Sequence, residues 1–411
     1  MMKAVKDTII MKSTTIQTVA FDARYINDQY HGIGRHAYNL LDALTRLDSK
    51  RRYVAYYYLG YRNTRFNLTV LSKRPNVELR PVQIPLYGIG EQLAWPGLLA
   101  QAGADLFHSP YVLLPLLARV KMIMTVHDLI FERHPEYRTQ GLLQKLYRPV
   151  MQMGIKRAER VFTVSEASGR DIQEYYHVDA AHIHVIYNGV DEIFQCETDM
   201  QRLAAVRERY GLPDHFILTV GAGRPHKNVE TLVEAFARLD PAVAPMLVIG
   251  GEHDPRFPDL VGARIATHGL SERVIRLGMI QEADLSAVYS LADAFVFPSL
   301  IEGFGIPPLE AMMCGTPVVA SNTPAVFEAV GSAALTFDPR DVEQLAAALH
   351  SVLTDTILQT TLRMQGLERA RSFTWERVAQ ETLQAYASIE ATTKVNVRNG
   401  ATRKESYAST H

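Results

Sequence analysis

Short runs of β-branched and aliphatic residues alternate with stretches of helical periodicity along most of this chain, and the alternation runs through once and then starts again at Phe216. That grammar predicts parallel α/β units. In the first series the expected strands are Thr18–Asp22, Tyr53–Tyr57, Val77–Arg80, Leu106–His108, Lys121–Val126, Arg160–Thr163 and His184–Ile186, with helices such as His36–Leu47 and Leu142–Arg157. In the second they are Ile217–Val220, Met246–Gly250, Val274–Leu277, Ala294–Phe297 and Pro317–Ala320, with helices Asn228–Arg238, Ala283–Leu291, Pro308–Cys314 and Val342–Thr354.

Single hydrophobic cores stop growing near roughly 250–300 residues, and this chain has 411. Two doubly wound, Rossmann-like domains are therefore expected, with the seam in the polar run 191–213. Residues 16–205 form the first, joined by a C-terminal helix over 374–389, and residues 206–373 form the second. Residues 1–15 read as a flexible leader and 390–411 as a disordered tail, since that stretch holds no large aliphatic residue except Val395 and Val397. Ligands of open parallel sheets bind outside the carboxyl ends of the strands, which makes a cleft between two such domains the expected site.

Composition narrows the function. The chain is 47% hydrophobic and 21% charged, with a net charge of -1, an ordinary globular balance that argues against a nucleic-acid partner. No stretch approaches the ~20 apolar residues of a spanning helix. Cys196 and Cys314 lie far apart in sequence and lack metal-ligand spacing, which predicts neither a disulfide framework nor a zinc site and fits a cytoplasmic setting. Residues 1–200 hold 24 basic against 20 acidic side chains, and the remainder holds 19 against 24. The excess is either ordinary surface charge or a lean of the first domain toward an anionic acceptor or the inner face of a membrane.

The most specific segment is Pro298-Ser-Leu-Ile-Glu302-Gly303-Phe304-Gly305-Ile-Pro-Pro-Leu-Glu310-Ala-Met-Met-Cys-Gly315-Thr-Pro317. A strand leads into a glycine-rich turn and then a helix, an arrangement that offers unpaired backbone N–H groups to a phosphate or a sugar hydroxyl. Two carboxylates eight residues apart bracket the turn, and ionised carboxylates accept hydrogen bonds from vicinal hydroxyls. The plainer alternative for Glu310 is a helix-terminal acid facing the macrodipole.

With the second glutamate followed by Ala311-Met-Met-Cys-Gly315-Thr-Pro317, the segment resembles the Glu-x7-Glu region of retaining glycosyltransferases of the GT-B fold, most closely family 4. Five further segments agree in order: Tyr30-His-Gly32-Ile-Gly34-Arg35-His36, Thr125-Val-His127-Asp128-Leu129, Thr163-Val-Ser165-Glu166, Val185-Ile-Tyr-Asn188-Gly189-Val190-Asp191, and Val220-Gly-Ala-Gly-Arg224-Pro-His226-Lys227-Asn228. The resemblance spans about residues 16–389. It implies that Gly32 and Gly34 approach the donor phosphates, where the lack of a Cβ admits close contact. Gly303, Phe304, Gly305 and Glu310 would bind donor, and Glu302 and His127 would face the donor sugar. Lys227 would neutralise the departing diphosphate. The arginine that commonly accompanies this lysine is missing from its usual places, which hold Ala222 and His226, so Arg224, or His226 if protonated, is its substitute. Arg24 and Arg35 are candidate acceptor contacts, with a surface salt bridge the alternative for each. Asn188 would shape the cleft, or simply form an Asn-Gly turn.

No Asp-x-Asp occurs in the sequence, so the usual arrangement for a nucleotide sugar held through a metal is lacking, which fits a metal-independent enzyme without cofactor. The opening, Asp22-Ala-Arg24 with Gly32-Ile-Gly34-Arg35, most resembles bacterial mannosyltransferases of polysaccharide and O-antigen assembly. The resemblance implies hexose transfer from GDP-mannose first, or a UDP-hexose second, to a lipid-linked or oligosaccharide acceptor. A GT-B nucleotide-sugar epimerase and a non-catalytic nucleotide-sugar binding module are the alternatives.

Overall fold

The computed structural model describes residues 15–29, 31–86, 89–137, 142–221 and 223–408. Residues 1–14 of the expected leader, together with Tyr30, Ala222 and residues 409–411, lie outside them. The first series of strands is β1 (Thr18–Asp22), β2 (Arg52–Tyr58), β3 (Val77–Val82), β4 (Leu106–Ser109), β5 (Lys121–Val126), β6 (Arg160–Thr163) and β7 (Ile183–Val185), in the order β3-β2-β1-β4-β5-β6-β7. The second is β8 (Ile217–Val220), β9 (Leu247–Gly250), β10 (Val274–Gly278), β11 (Ala294–Phe297), β12 (Val318–Ser321) and β13 (Leu335–Phe337), in the order β10-β9-β8-β11-β12-β13. The registers described are parallel. Both sheets step outward from their first strand in one direction and then in the other. The switch point therefore falls between β1 and β4 in one and between β8 and β11 in the other, where doubly wound sheets bind ligands.

Burial explains why these strands read as continuous apolar runs. In the second sheet Leu218, Phe295, Phe297, Val318 and Ala320 face one core. The alternate residues Ile217, Ala294, Val296 and Val319 face another. Period-two alternation with both faces covered leaves no polar position to mark the pleat.

By compactness the chain forms two units, Met1–Met124 with Arg157–Glu159 and Ala379–His411, and Thr125–Lys156 with Arg160–Val378. Along the sequence the two sheets divide between β7 and β8. The second unit nevertheless begins earlier, and the segment following β6 hydrogen-bonds to residues beyond 300: the Ser165 hydroxyl to the Gly303 carbonyl at 2.7 Å, and the Glu166 and Ala167 amides to the Glu328 carboxylate at 2.7 and 2.8 Å.

The polar run at the seam contains a helix, Met200–Tyr210. Asp199 caps its start by accepting from the amides of Gln201 and Arg202, and Gly211 closes it in the left-handed conformation. Val206 and Leu212 carry this segment into the core of the second unit. At the other end of the chain one helix runs Trp375–Ala408, so residues 390–408 of the expected disordered tail continue it. No proline interrupts that stretch, and Ala, Arg, Lys and Glu favour a helix without needing an apolar stripe.

Candidate functional site

The switch point of the second sheet is built from two turns. After β8, Gly221 is tied to the end of β9 through its amide to the Gly250 carbonyl at 2.9 Å, and a single 3-10 turn, Pro225–Lys227, follows. Asn228 ends that turn at φ 55°, a conformation asparagine tolerates better than most residues. Its side-chain amide donates to the carbonyls of Pro298 at 3.0 Å and Pro339 at 2.7 Å, and its oxygen accepts from Thr231 at 2.7 Å. The turn is thereby fastened to the ends of β11 and β13, which fixes where Lys227 starts. Sequence reading quoted Asn228 without giving it this part, although an asparagine directly after the lysine is the residue type such a turn needs.

The second turn follows β11 and carries Glu302. Lys227 Nζ lies 2.7 Å from Glu302 Oε1 and 5.3 Å from the centroid of Phe297, with the two charged side chains 20% and 12% exposed. Gly303 then passes so close to the end of β5 that a Cβ there would fall 2.3 Å from the His127 carbonyl oxygen and 3.2 Å from Asp128 Cβ. Only glycine allows that approach. Ser165 caps the helix Glu166–Tyr176 by accepting from the Ser168 amide, and the Ser168 hydroxyl is within 3.2 Å of the Gly303 carbonyl and 3.3 Å of the His127 carbonyl. Gly305, at φ 124°, turns the chain into the helix Ile306–Met313. The structure thus brings His127, Lys227, Glu302 and Gly303 together, and adds Asp128.

The charges at this place are not ordinary. Burial alone would raise Glu302, but the Lys227 ammonium outweighs it and holds the carboxyl below its usual range. Asp128 feels the same Lys227 ammonium only weakly. Burial pushes it up to about 6, with the carboxylates of Glu302 and Glu132 adding to the effect against the Ile130 amide. His226 is buried beside Tyr137, ring centroids 5.8 Å apart, and desolvation brings it down to about 4. It is therefore neutral near pH 7, and the expectation that it could supply a second positive charge is corrected. Arg224 is half exposed and points its Nε toward Asp254 at 3.5 Å. Asp254 also accepts from Arg256 at 2.8 Å and is held down at about 2, mainly by that bond. Arg224 lines a cavity with Gly221, Gly223, His253 and Arg276, so the cation stands beside the Lys227 turn with a carboxylate partner of its own.

Most of the other expected contact residues lie inside the fold. Phe304 is a core residue, stacked on Tyr187 at 5.5 Å and edge-on to Phe373 at 5.6 Å, and its ring is not presented to a donor. Glu310 is buried on the helix Ile306–Met313 and accepts from the Tyr289 hydroxyl at 3.1 Å. Arg24 is only 1% exposed and turns inward. Its guanidinium binds Asp22 at 2.7 and 2.8 Å, the Glu91 carboxylate and the Ile84 carbonyl, 5.0 Å over the Trp95 ring. It is thus an internal strut of the first unit and cannot be an acceptor contact in this conformation. Gly32 and Gly34 lie in the first turn of the helix His31–Leu47 rather than in a loop. Gly34 serves packing, since a Cβ there would lie 2.8 Å from the Tyr25 carbonyl oxygen, whereas nothing stands within 4 Å of one on Gly32. Arg35 is half-buried on the same helix. Asn188 is buried, and Gly189 beside it passes within 2.7 Å, measured from a Cβ position, of the Trp375 amide nitrogen.

Among the described residues, no group of three or more His, Cys, Asp or Glu is placed to hold a metal ion. Residues 205–369 match the family model described as Glycosyl transferases group 1, and residues 30–193 match Glycosyltransferase Family 4. The serotype-specific mannosyltransferase WbdA of Escherichia coli is 30% identical over 238 residues, covering 57% of this chain and 29% of that protein, so the chain spans less than a third of its length. The O-antigen chain mannosyltransferase B of Escherichia coli is 31% identical over 290 residues, 68% of this chain and 74% of that one. The structure of Anabaena HepE in complex with UDP and glucose is similar in fold, with a TM-score of 0.70, 21% identity, and coverage of 91% of this chain and 100% of that one.

Proposed function

The chain belongs to the glycosyltransferases of group 1 and family 4, with the GT-B fold, and on that premise we propose that it transfers a hexose from a nucleoside diphosphate sugar to a hydroxyl of a lipid-linked or oligosaccharide acceptor, with retention and without a metal. GDP-mannose is the first donor, on the strength of the two mannosyltransferase relatives, and a UDP-hexose the second, on that of the HepE complex. The single observation that carries the reading is the Lys227–Glu302 pair at the switch point of the second sheet, with Gly303 pressed against His127.

In this reading the glycosidic C–O bond to the leaving phosphate breaks as the acceptor oxygen approaches the same face. The acceptor proton passes to a phosphate oxygen of the departing diphosphate. Charge develops on that diphosphate, and a fixed ammonium in a low-dielectric setting is the group that answers it. Lys227 supplies it, steered by Glu302 and by the Asn228 anchor. Glu302 can then accept from hydroxyls of the transferred sugar, Glu310 from the ribose, and His127 lies at the edge where the sugar would sit. Among the described residues no helix is long and apolar enough to cross a membrane. Action at the inner face of a membrane through the basic first half of the chain is part of the proposal.

Thermal shift against GDP-mannose, UDP-glucose, UDP-galactose and UDP-N-acetylglucosamine tests the donor, because ligand bound to the native state raises apparent stability. GDP-mannose is expected to raise the melting temperature most, and a response confined to UDP-sugars would overturn that ranking. With the donor known, Lys227→Ala is expected to lower turnover at saturating donor by about 10²–10³-fold. Unchanged turnover would remove Lys227 from the reaction, and a free altered sugar nucleotide formed without acceptor would make the enzyme an epimerase.

A further inference from the structure

The two cysteines, more than a hundred residues apart in sequence, meet in the second unit. A methyl group placed on Gly315 would lie 3.6 Å from the Cys196 sulfur and 4.0 Å from its Cβ, so Cys196 sits directly against the backbone that follows Cys314. Two serines of the helix Glu282–Leu291 hold the segments together. Ser286 Oγ is 2.6 Å from the Gln195 carbonyl oxygen, 3.2 Å from the Gln195 amide and 3.5 Å from Cys314 Sγ. Ser290 Oγ accepts from the Glu197 amide at 3.0 Å and lies 3.3 Å from the Cys314 carbonyl oxygen. The residues on either side of Cys196 are thus fastened to the same two hydroxyls that touch the thiol and the carbonyl of Cys314. Both cysteines are reduced; Cys196 is exposed and Cys314 is buried. Nothing in the proposed transfer reaction uses either thiol.

We propose that Cys196 and Cys314 form a thiol pair that closes to an intramolecular disulfide when the exposed Cys196 meets a low-molecular-weight disulfide. The Cys196 thiolate attacks one sulfur of that disulfide, forming a mixed disulfide and releasing one small thiolate. The Cys314 thiolate then attacks the Cys196 sulfur and displaces the second. Two protein thiols are oxidised and one small disulfide is reduced to two thiols, so electrons and protons balance. Cys314 needs no access to solvent, because its partner sulfur is delivered by the neighbouring segment. The product ties the 195–197 segment to the end of the helix Ile306–Met313, which carries Glu310. Burial pushes the Cys314 thiol up to about 12, so the second step is the slow one. Below that value its rate should rise about tenfold per pH unit with the thiolate fraction.

The test is incubation of the whole chain with oxidised glutathione, followed by thiol titration in denaturant, intact mass and peptide mapping. The expected outcome is a monomer with no titratable thiol, two hydrogens lighter, in which the peptides carrying Cys196 and Cys314 are linked, at a rate that climbs with pH. Cys196→Ser should leave Cys314 unmodified. Ser286→Ala, which removes the bridge and keeps both cysteines, should slow closure while leaving the first reaction at Cys196 unchanged. A product that stops at Cys196-bound glutathione, or a dimer linked through Cys196, would overturn the proposal, as would Cys314 reacting equally well in the Cys196→Ser variant.

Discussion

Asp128 and His226 stand near the Lys227–Glu302 pair with shifts of opposite consequence. The Asp128 carboxyl goes from 3.8 to about 6 on folding. Between those values the native state keeps a proton that the unfolded chain has released, so stability falls as pH rises through the window, by on the order of 3 kcal/mol. His226 goes from 6.5 to about 4. Between those values the unfolded chain holds a proton that the native state excludes, so stability rises with pH by a similar amount. The two slopes oppose each other between about pH 4 and pH 6. Asp128→Asn keeps an oxygen for the Ile130 amide and removes one slope. Urea unfolding should show the variant more stable than the parent by about 2–3 kcal/mol at pH 7, with the gain gone near pH 4, and a gain independent of pH would disprove the assignment. The residue types of this site were legible in the sequence, because Lys227, Glu302 and His127 stand in recognisable runs. Burial was not. Arg24 reads as a candidate ligand contact until Asp22 and Glu91 surround it, and Glu91 comes from a helix more than sixty residues away that no local pattern connects to it.

At the scale of elements, the glycine turns divide by what stands opposite them. Gly303 faces a backbone carbonyl, and a main-chain atom cannot rotate aside as a side chain does. Gly303→Ala should therefore move the Glu302 turn off Lys227, costing about 1–3 kcal/mol of stability and at least tenfold in turnover. Gly32→Ala, in an open helical turn, should raise stability by up to about 1 kcal/mol. Chemical denaturation of both variants checks the pair, and equal effects would mean that the turn at Gly303 is not constrained as described. Strands were the better-read elements. β1, β5, β6, β8 and β11 occupy the expected residues, since runs covered on both faces are apolar without interruption. The helices Leu260–Thr267 and Thr356–Ala370 were missed, as was strand β13. The second helix buries only Leu362, Gly366 and Ala370, too narrow a face to print a stripe.

The C-terminal helix starts in the second unit and from Ala379 onward belongs to the first, so the integrity of the first unit depends on the far end of the chain. The Tyr386 hydroxyl is 2.6 Å from His108 Nδ1 beside Phe21, and Glu390 accepts from the Ile16 amide at 2.9 Å and from Arg51 at 3.1 Å. Ala379, Thr382, Tyr386 and Ile389 are all buried. Fully burying one large apolar side chain contributes roughly 1.5–3 kcal/mol, and His108 would lose its tyrosine in the middle of a core. Together these terms approach the whole stability of a domain, about 5–15 kcal/mol. A chain ending at Val378 should therefore lose amide-exchange protection in β1 to β4 while β8 to β13 keep theirs. A chain ending at Ala391 retains every one of these contacts, and the segment it gives up has only Val395 and Val397 as large aliphatic residues. Its protection pattern should match that of the full chain. If the shorter chain protected β1 to β4 as well as the longer one, the helix would be an appendage rather than part of the first unit's core.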